Sequence, residues 1–190
     1  MNQNIKLTVA GLHHYKHANE ICNMIEKAAK IRGTGIAKRN PLYIAQKIQE
    51  GKSVIAFYNN KVIGFCYIET WEHGKYVANS GLIIHPDFRK LGIAKQLKEK
   101  AFKLSIKKYP KAQLFGLTTS LPVMKINSTL GYTPVTFREF TTDKEFWKGC
   151  KSCVNYDILK RTNFKMCLCT AMIYNPTISI KRNKLKKSAV

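Results

Sequence analysis

The stretch from Leu82 to Lys95 holds the densest set of residues able to do chemistry: Leu82-Ile83-Ile84, then His85-Pro86-Asp87-Phe88, then Arg89-Lys90-Leu91-Gly92-Ile93-Ala94-Lys95. An apolar run that reads as a strand is stopped by Pro86 and turns through two cations. It then enters a segment with helical spacing in Ile93, Leu97, Ala101 and Leu104. The first amides of such a helix have no intrahelical partners and the helix dipole adds partial positive charge. Gly92 and Ala94 are small enough to let an oxygen-rich group reach the backbone. Arg89, Lys90 and Lys95 add full charges. A site for a phosphate-bearing ligand is one reading, and an ordinary basic helix entrance is the other.

Two further groups stand out. The chain has 11 acidic residues against 33 lysines and arginines, so carboxylates near a strand end are few, and Glu69 and Glu72 are the candidate bases. The alternative for both is a surface acid offsetting nearby lysines. Asn79 and Ser80 would hold an acceptor or a water, or simply face solvent. Near the C-terminal end, Cys150-x-x-Cys153 is followed after thirteen residues by Cys167-x-Cys169. Four thiols can close one tetrahedral structural zinc site, with Lys148, Lys151, Arg161 and Lys165 favouring thiolates. Reduced cysteines buried in a late hairpin and redox-active pairs are the other readings, while a lasting disulfide does not suit a reducing compartment. Cys22 and Cys66 lie in apolar periodic segments and read as core.

The elements that must position these groups follow from periodicity. Ile5 to Val9 reads as a strand, Tyr15 to Ile31 as a helix, and Asn40-Pro41 as the cap and first turn of a helix running to Gln49. Ser53 to Tyr58 and Lys61 to Trp71 form a hairpin about Asn59-Asn60, followed by a strand from Tyr76 to Ile84. The amphipathic helix from Ile93 ends before Pro110. Gln113 to Thr118 is a buried strand, Leu121 to Leu130 a short helix closed by Gly131, and Tyr132 to Phe140 a late strand. The expected class is α/β, with one mixed, mostly antiparallel sheet flanked by helices. At 190 residues and 45% hydrophobic content the chain supports one core, so residues 1–176 are expected to form a single domain that includes the Cys-rich segment 145–176. The lysine-rich stretch 177–190 is expected to be a mobile basic tail.

Arg89-x-x-Gly92-x-Ala94 after a Pro-terminated strand resembles the coenzyme A signature of the GNAT acetyltransferase superfamily, and the element order from about residue 5 to 140 is similar to that fold. The resemblance implies an acyl-CoA N-acyltransferase. It places Lys90, Leu91, Gly92, Ile93 and Ala94 on the pyrophosphate and Leu82, Ile83 and Ile84 on a strand splayed from the next one, where it meets the pantetheine arm. A backbone amide near Ile83 or Ile84 would steady the thioester oxygen as it becomes an oxyanion. The segment Ser120 to Tyr132 is similar to the family's late helix at Ile126, Gly131 and Tyr132. Asn127, however, stands at the catalytic position where many members keep a tyrosine that protonates the departing thiolate, and it has no titrating proton to give.

Arg32-Gly33-Thr34-Gly35-Ile36-Ala37-Lys38-Arg39, Val123 to Ser128 and Phe146 to Cys150 together resemble short bacterial GNAT proteins described as N-acetylglutamate synthase-like and associated with arginine biosynthesis. That likeness implies glutamate or a related amino acid as acceptor and acetyl-CoA, or succinyl-CoA, as donor. Arg32, Lys38 and Arg39 would attract the acceptor's carboxylates, since the same charges repel a polyamine. A protein amine as acceptor, or a basic nucleic-acid-binding module with a metal knuckle, are the alternatives. The net charge of +22 attracts anions without choosing among them. Nucleic acid ranks below a small-molecule partner because no stacking motif or recognition helix is present, and the sequence leaves homo-oligomerisation open. Neither a signal-length apolar stretch in Met1 to Gly11 nor a run of about 18 apolar residues is found. The expectation is therefore no membrane partner and a cytoplasmic setting.

Overall fold

The computed structural model describes residues 4–32, 39–141 and 143–177. Its sheet grows from a hairpin. Asn59 and Asn60 both take positive φ, 46° and 62°, which Asn tolerates, and the two-residue turn matches the twist of its strands. That turn joins β2 (Ser53–Tyr58) to β3 (Lys61–Trp71), and β1 (Ile5–Val9) pairs with the other edge of β2. A short turn at Glu72–Gly74 leads from β3 into β4 (Tyr76–Ile84). With β5 (Gln113–Thr118), β6 (Thr133–Val135) and β7 (Thr170–Tyr174), the sheet has seven strands among the described residues, in the order β1-β2-β3-β4-β5-β7-β6. Among these described strands only β4 and β5 run parallel; the other pairs are antiparallel, as expected of a mixed sheet.

Helices cover both faces, which is why β3 is buried continuously from Val62 to Ile68 rather than in alternation. On one face α1 (Ala18–Arg32) and α2 (Pro41–Gln49) pack Ile21, Ile25, Ile44 and Ile48 against Phe65, Tyr67 and Ile83. Asn40 caps α2, its Oδ1 accepting from the Leu42 amide at 2.8 Å, with Pro41 in the first turn. On the other face α3 (Ile93–Lys108) packs Ile93, Leu97 and Ala101 against Val54, Ile63, Cys66 and Ile84. The expected first helix begins later than its spacing suggests, at Ala18, because Leu12–His17 forms a 3-10 turn. Among the described residues no helix is long and apolar enough to cross a membrane.

The chain departs from expectation after α4 (Leu121–Thr129). The strand expected from Tyr132 to Phe140 shrinks to Thr133–Val135, because Thr136 and Glu139 close a 3-10 turn: Glu139 Oε1 accepts from the Thr136 amide at 2.9 Å and from its hydroxyl at 3.1 Å. Phe137 and Phe140 leave the sheet and join Phe115, Phe146 and Trp147 in an aromatic cluster. The cysteine segment is not a hairpin. It runs through α5 (Lys144–Lys148) and α6 (Tyr156–Arg161) before β7 inserts between β5 and β6. Beyond Thr177 the expected basic tail lies outside the described residues.

Candidate functional site

β4 and β5 pair only at Tyr76↔Gln113, Val77↔Leu114 and Ala78↔Phe115. Past that point β5 keeps its antiparallel partner β7 through Thr118↔Thr170, while β4 bends away. The bend has a local cause. Tyr67 pairs with Ser80 and Phe65 with Ile83, so Gly81 and Leu82 together oppose Cys66 in a β-bulge. Gly81 has φ +63°, and a Cβ there would lie 2.6 Å from the Tyr67 ring, so glycine alone satisfies both constraints. Between the parted strands opens a cleft of about 600 Å³. Its walls include Arg39, Tyr67 and Glu69 on one side, Ser80, Leu82 and Ile83 along β4, and Asn127 and Cys150 opposite.

Along the β4 wall the His85 amide donates to the Ile63 carbonyl at 2.8 Å. Successive strand amides alternate in direction, so the Ile84 amide faces away from β3, toward the side that β5 has left. The expected anion loop follows. Gly92 stands at the N-terminus of α3 with φ +75° and open space where a Cβ would be, and no side chain caps the first turn. Arg89 braces the turn by donating from Nε to the Ile84 carbonyl at 3.4 Å. Lys90, Leu91 and Gly92 are exposed, Ala94 is half-buried, and Ile93 anchors the helix in the core. Lys95 is exposed and lies 3.9 Å from Glu99. Arg89 also lines a second hollow of about 650 Å³ together with Lys16, Lys27 and Lys61.

Of the two candidate bases, Glu69 lies in the cleft wall. Its Oε1 accepts from Lys47 Nζ at 2.7 Å and from the Thr70 amide at 3.2 Å. Burial pushes its carboxyl up to about 7, with the Thr70 amide and the Arg39 guanidinium pulling the other way. Glu72 sits at the turn beyond β3, where it accepts from the Thr141 hydroxyl and from Lys75 Nζ, and it is not among the residues lining the cleft. Arg39 reaches the cleft beside Glu69 and donates from Nε to the Tyr67 hydroxyl at 2.7 Å. Lys38 and the side chain of Arg32, expected beside it, lie outside the described residues.

Ser80 lines the cleft. Asn79 does so too, but its side chain is spent within the fold rather than offered to an acceptor: Nδ2 donates to Ser105 Oγ at 2.6 Å and Oδ1 accepts from the Tyr132 hydroxyl at 3.5 Å. Asn127 is buried in the cleft wall, with Nδ2 3.7 Å from Met172 Sδ and Oδ1 without a partner among the described residues.

The zinc expectation finds no support among the described residues. The four thiols do gather, and Cys150, Cys153 and Cys169 reach the cleft. Yet among the described residues no set of three or more His, Cys, Asp or Glu side chains is arranged to hold a metal ion. Cys150, Cys167 and Cys169 pack instead against the Phe146 and Trp147 cluster. Burial, ahead of the neighbouring thiols, pushes Cys150 up to about 11 and Cys169 up to about 12.

Sequence reasoning missed Lys47, Tyr67 and Lys98. Lys98 is 2% exposed and lines the cleft, although as one of many lysines on α3 it reads as surface. A signal was present: it falls four residues after Ala94 and three before Ala101, on the helix's stripe of small residues.

The comparisons agree with this geometry. Residues 23–120 match the model of the acetyltransferase (GNAT) family. N-acetylglutamate synthase from Neisseria gonorrhoeae, complexed with coenzyme A and N-acetyl-glutamate, superposes with a TM-score of 0.65 at 13% identity over 92% of this chain. This chain covers 36% of that one, about a third of its length. Rv2747 from Mycobacterium tuberculosis, in complex with CoA, has a TM-score of 0.62 at 14% identity over 90% of this chain and 98% of its own. A phosphinothricin acetyltransferase from Sinorhizobium meliloti, in complex with AcCoA, gives 0.60 at 14% over 91% and 89%. No curated protein matches the chain in sequence at a significant level.

Proposed function

The chain belongs to the GNAT acetyltransferase family, and on that premise we propose that it moves an acyl group from a coenzyme A thioester to the amine of a small, carboxylate-bearing acceptor, glutamate or a related amino acid. The observation that carries this reading is the parting of β4 and β5 after Ala78↔Phe115 directly beside the uncapped N-terminus of α3. The two features together fit a long ligand with an anionic end and an amide-bearing arm. The uncapped amides and the open space at Gly92 accept phosphate oxygens. The unpaired edge of β4 offers backbone partners to the arm, and the orphaned Asn127 Oδ1 is a buried acceptor awaiting a donor.

In this reading each residue has a limited task. The amides from Lys90 to Ala94, with Lys95 nearby, hold the phosphates. The Ile84 amide, with Leu82 and Ile83 shaping the strand around it, steadies the developing oxyanion. Arg39, in the cleft wall beside Glu69, draws the acceptor's carboxylate by its charge, and Ser80 contacts the acceptor or an ordered water. Glu69 takes the proton that the acceptor ammonium must lose before attack. A carboxyl held near neutrality suits that role, and Lys47 fixes its orientation. The likeness to a CoA-bound N-acetylglutamate synthase supports glutamate as acceptor and acetyl-CoA as donor, hence a place in arginine biosynthesis. Reduced cysteines throughout the described chain fit a cytoplasmic setting.

The test is release of the CoA thiol by the purified chain from acetyl-CoA or succinyl-CoA, against glutamate, aspartate, ornithine, spermidine and a basic peptide. Glutamate-dependent release above the acceptor-free rate is expected. Turnover with spermidine or the peptide alone would overturn the acceptor assignment.

A further inference from the structure

Where the β4–β5 ladder ends, the backbone acquires an unusual partner. Ile68 donates its amide to Lys52 on the far side of β3, so the residues flanking it face β4 and the pair Tyr67↔Ser80 is hydrogen-bonded. The Asn79 carbonyl therefore points away from β3, toward β5. In a continued parallel ladder it would accept from a β5 amide, but it accepts instead from Lys98 Nζ at 3.2 Å. Lys98 reaches from α3 into the apex of the wedge, with its ammonium 5.7 Å from the centroid of the Tyr132 ring. It is 2% exposed and has no carboxylate partner among the described residues.

A buried ammonium without a counter-ion is costly, and such groups persist where a ligand completes them. On the acyl-transfer reading, the reacting end of the thioester enters this wedge, opposite an Asn127 that has no titrating proton. We propose that Lys98 is the general acid of the transfer, presenting its ammonium at the apex of the wedge to the departing sulfur. As the C–S bond breaks, its electron pair withdraws onto sulfur. A Lys98 N–H bond breaks as the S–H bond forms, and the neutral amine left behind regains a proton from water that enters as the thiol leaves.

The surroundings suit the task. The groups facing Lys98 are the Cys66 thiol from β3, the Asn79 backbone carbonyl from β4 and the Tyr132 phenol. Burial pushes Cys66 up to about 11 and Tyr132 higher still, so neither competes for the proton near neutrality. Burial pulls Lys98 down, which makes its ammonium a readier proton donor than a solvated lysine.

The proposal rests on CoA binding, so its test reads binding, thiol ionisation and turnover separately. CoA is titrated into the full chain, wild type and Lys98→Met, and the thiolate absorbance of the bound ligand is followed against pH. A bound thiol whose pKa is lower in the wild type by about one unit or more is expected, with CoA affinity little changed. Turnover with acetyl-CoA and the best acceptor should fall on the order of 10²–10³-fold in Lys98→Met. Lys98→Arg, the variant to use if the methionine chain does not fold, keeps the charge and the low thiol pKa. It should nevertheless turn over at least about tenfold more slowly, because a guanidinium does not release its proton. Equal thiol pKa values with and without Lys98, or wild-type turnover in Lys98→Arg, would overturn the proposal while leaving the acyl-transfer reading intact. Absence of CoA binding in the wild type would overturn both.

Discussion

The carboxyl of Glu69 is buried beside Lys47, while that of Glu72, three residues on, bonds Thr141 outside the cleft. Sequence alone ranks the two equally, because what separates them is which residues cross the sheet to meet them. Lys47 comes from α2, 22 positions away, and Thr141 from 69 positions away. The difference has a pH signature. With Glu69 as base, kcat/KM should rise with pH through about 7, and Glu69→Gln should lose on the order of 10²–10³ in turnover together with that rise. An unchanged profile in the variant would remove Glu69 from the role. The same group makes a stability prediction. Between its ordinary value of 4.5 and about 7 the folded chain holds a proton that the unfolded chain has lost. Stability against urea should therefore fall as pH rises through that window, and should fall less in Glu69→Gln.

At the level of elements, the wedge depends on one residue of β4. Gly81→Ala must place a Cβ 2.6 Å from the Tyr67 ring at φ +63°, so a loss of roughly 1–3 kcal/mol is expected in urea unfolding. Acyl-CoA affinity should weaken with it, because the bulge that bends β4 away from β5 is lost. A variant with wild-type stability and affinity would show that the bulge does not hold the wedge open. Most elements were legible because their signals are local: Asn59-Asn60 for the hairpin, Asn40-Pro41 for the cap of α2, Pro86 and Gly92 around the loop. β6 and β7 were not. The first is cut short by a Thr136–Glu139 turn whose pattern looks like a continuing strand. The second takes its place from a partner, β5, more than 50 residues earlier in the chain. The bulge at Gly81 was equally invisible, since it exists only relative to Cys66 on the neighbouring strand.

Across the whole molecule, the cysteine segment proves to be part of the sheet rather than an appendage. β7 supplies β5 with its antiparallel partner, and Phe146, Trp147 and Leu159 complete the cluster that holds Phe115. A chain ending at Phe140 should therefore lose its cooperative unfolding transition by circular dichroism, whereas one ending at Thr177 should keep it. Loss of the transition in the longer truncation would show that residues 178–190 contribute to stability. The formal charge of +22 draws anions to every face and so cannot by itself locate a ligand. The proposed placement rests instead on the coincidence of parted strands with an uncapped helix, and Gly92 tests that coincidence with little disturbance to the fold. A side chain there enters open space, at a backbone cost of roughly 1 kcal/mol for its positive φ. The decisive measurement is an equilibrium titration of acetyl-CoA into the wild-type chain and into Gly92→Glu, with circular dichroism confirming that both are folded. Saturable binding by the wild type and none by the variant is the predicted result; equal affinity in the two, or no binding by either, would contradict the placement of the acyl donor at α3 and the account built on it.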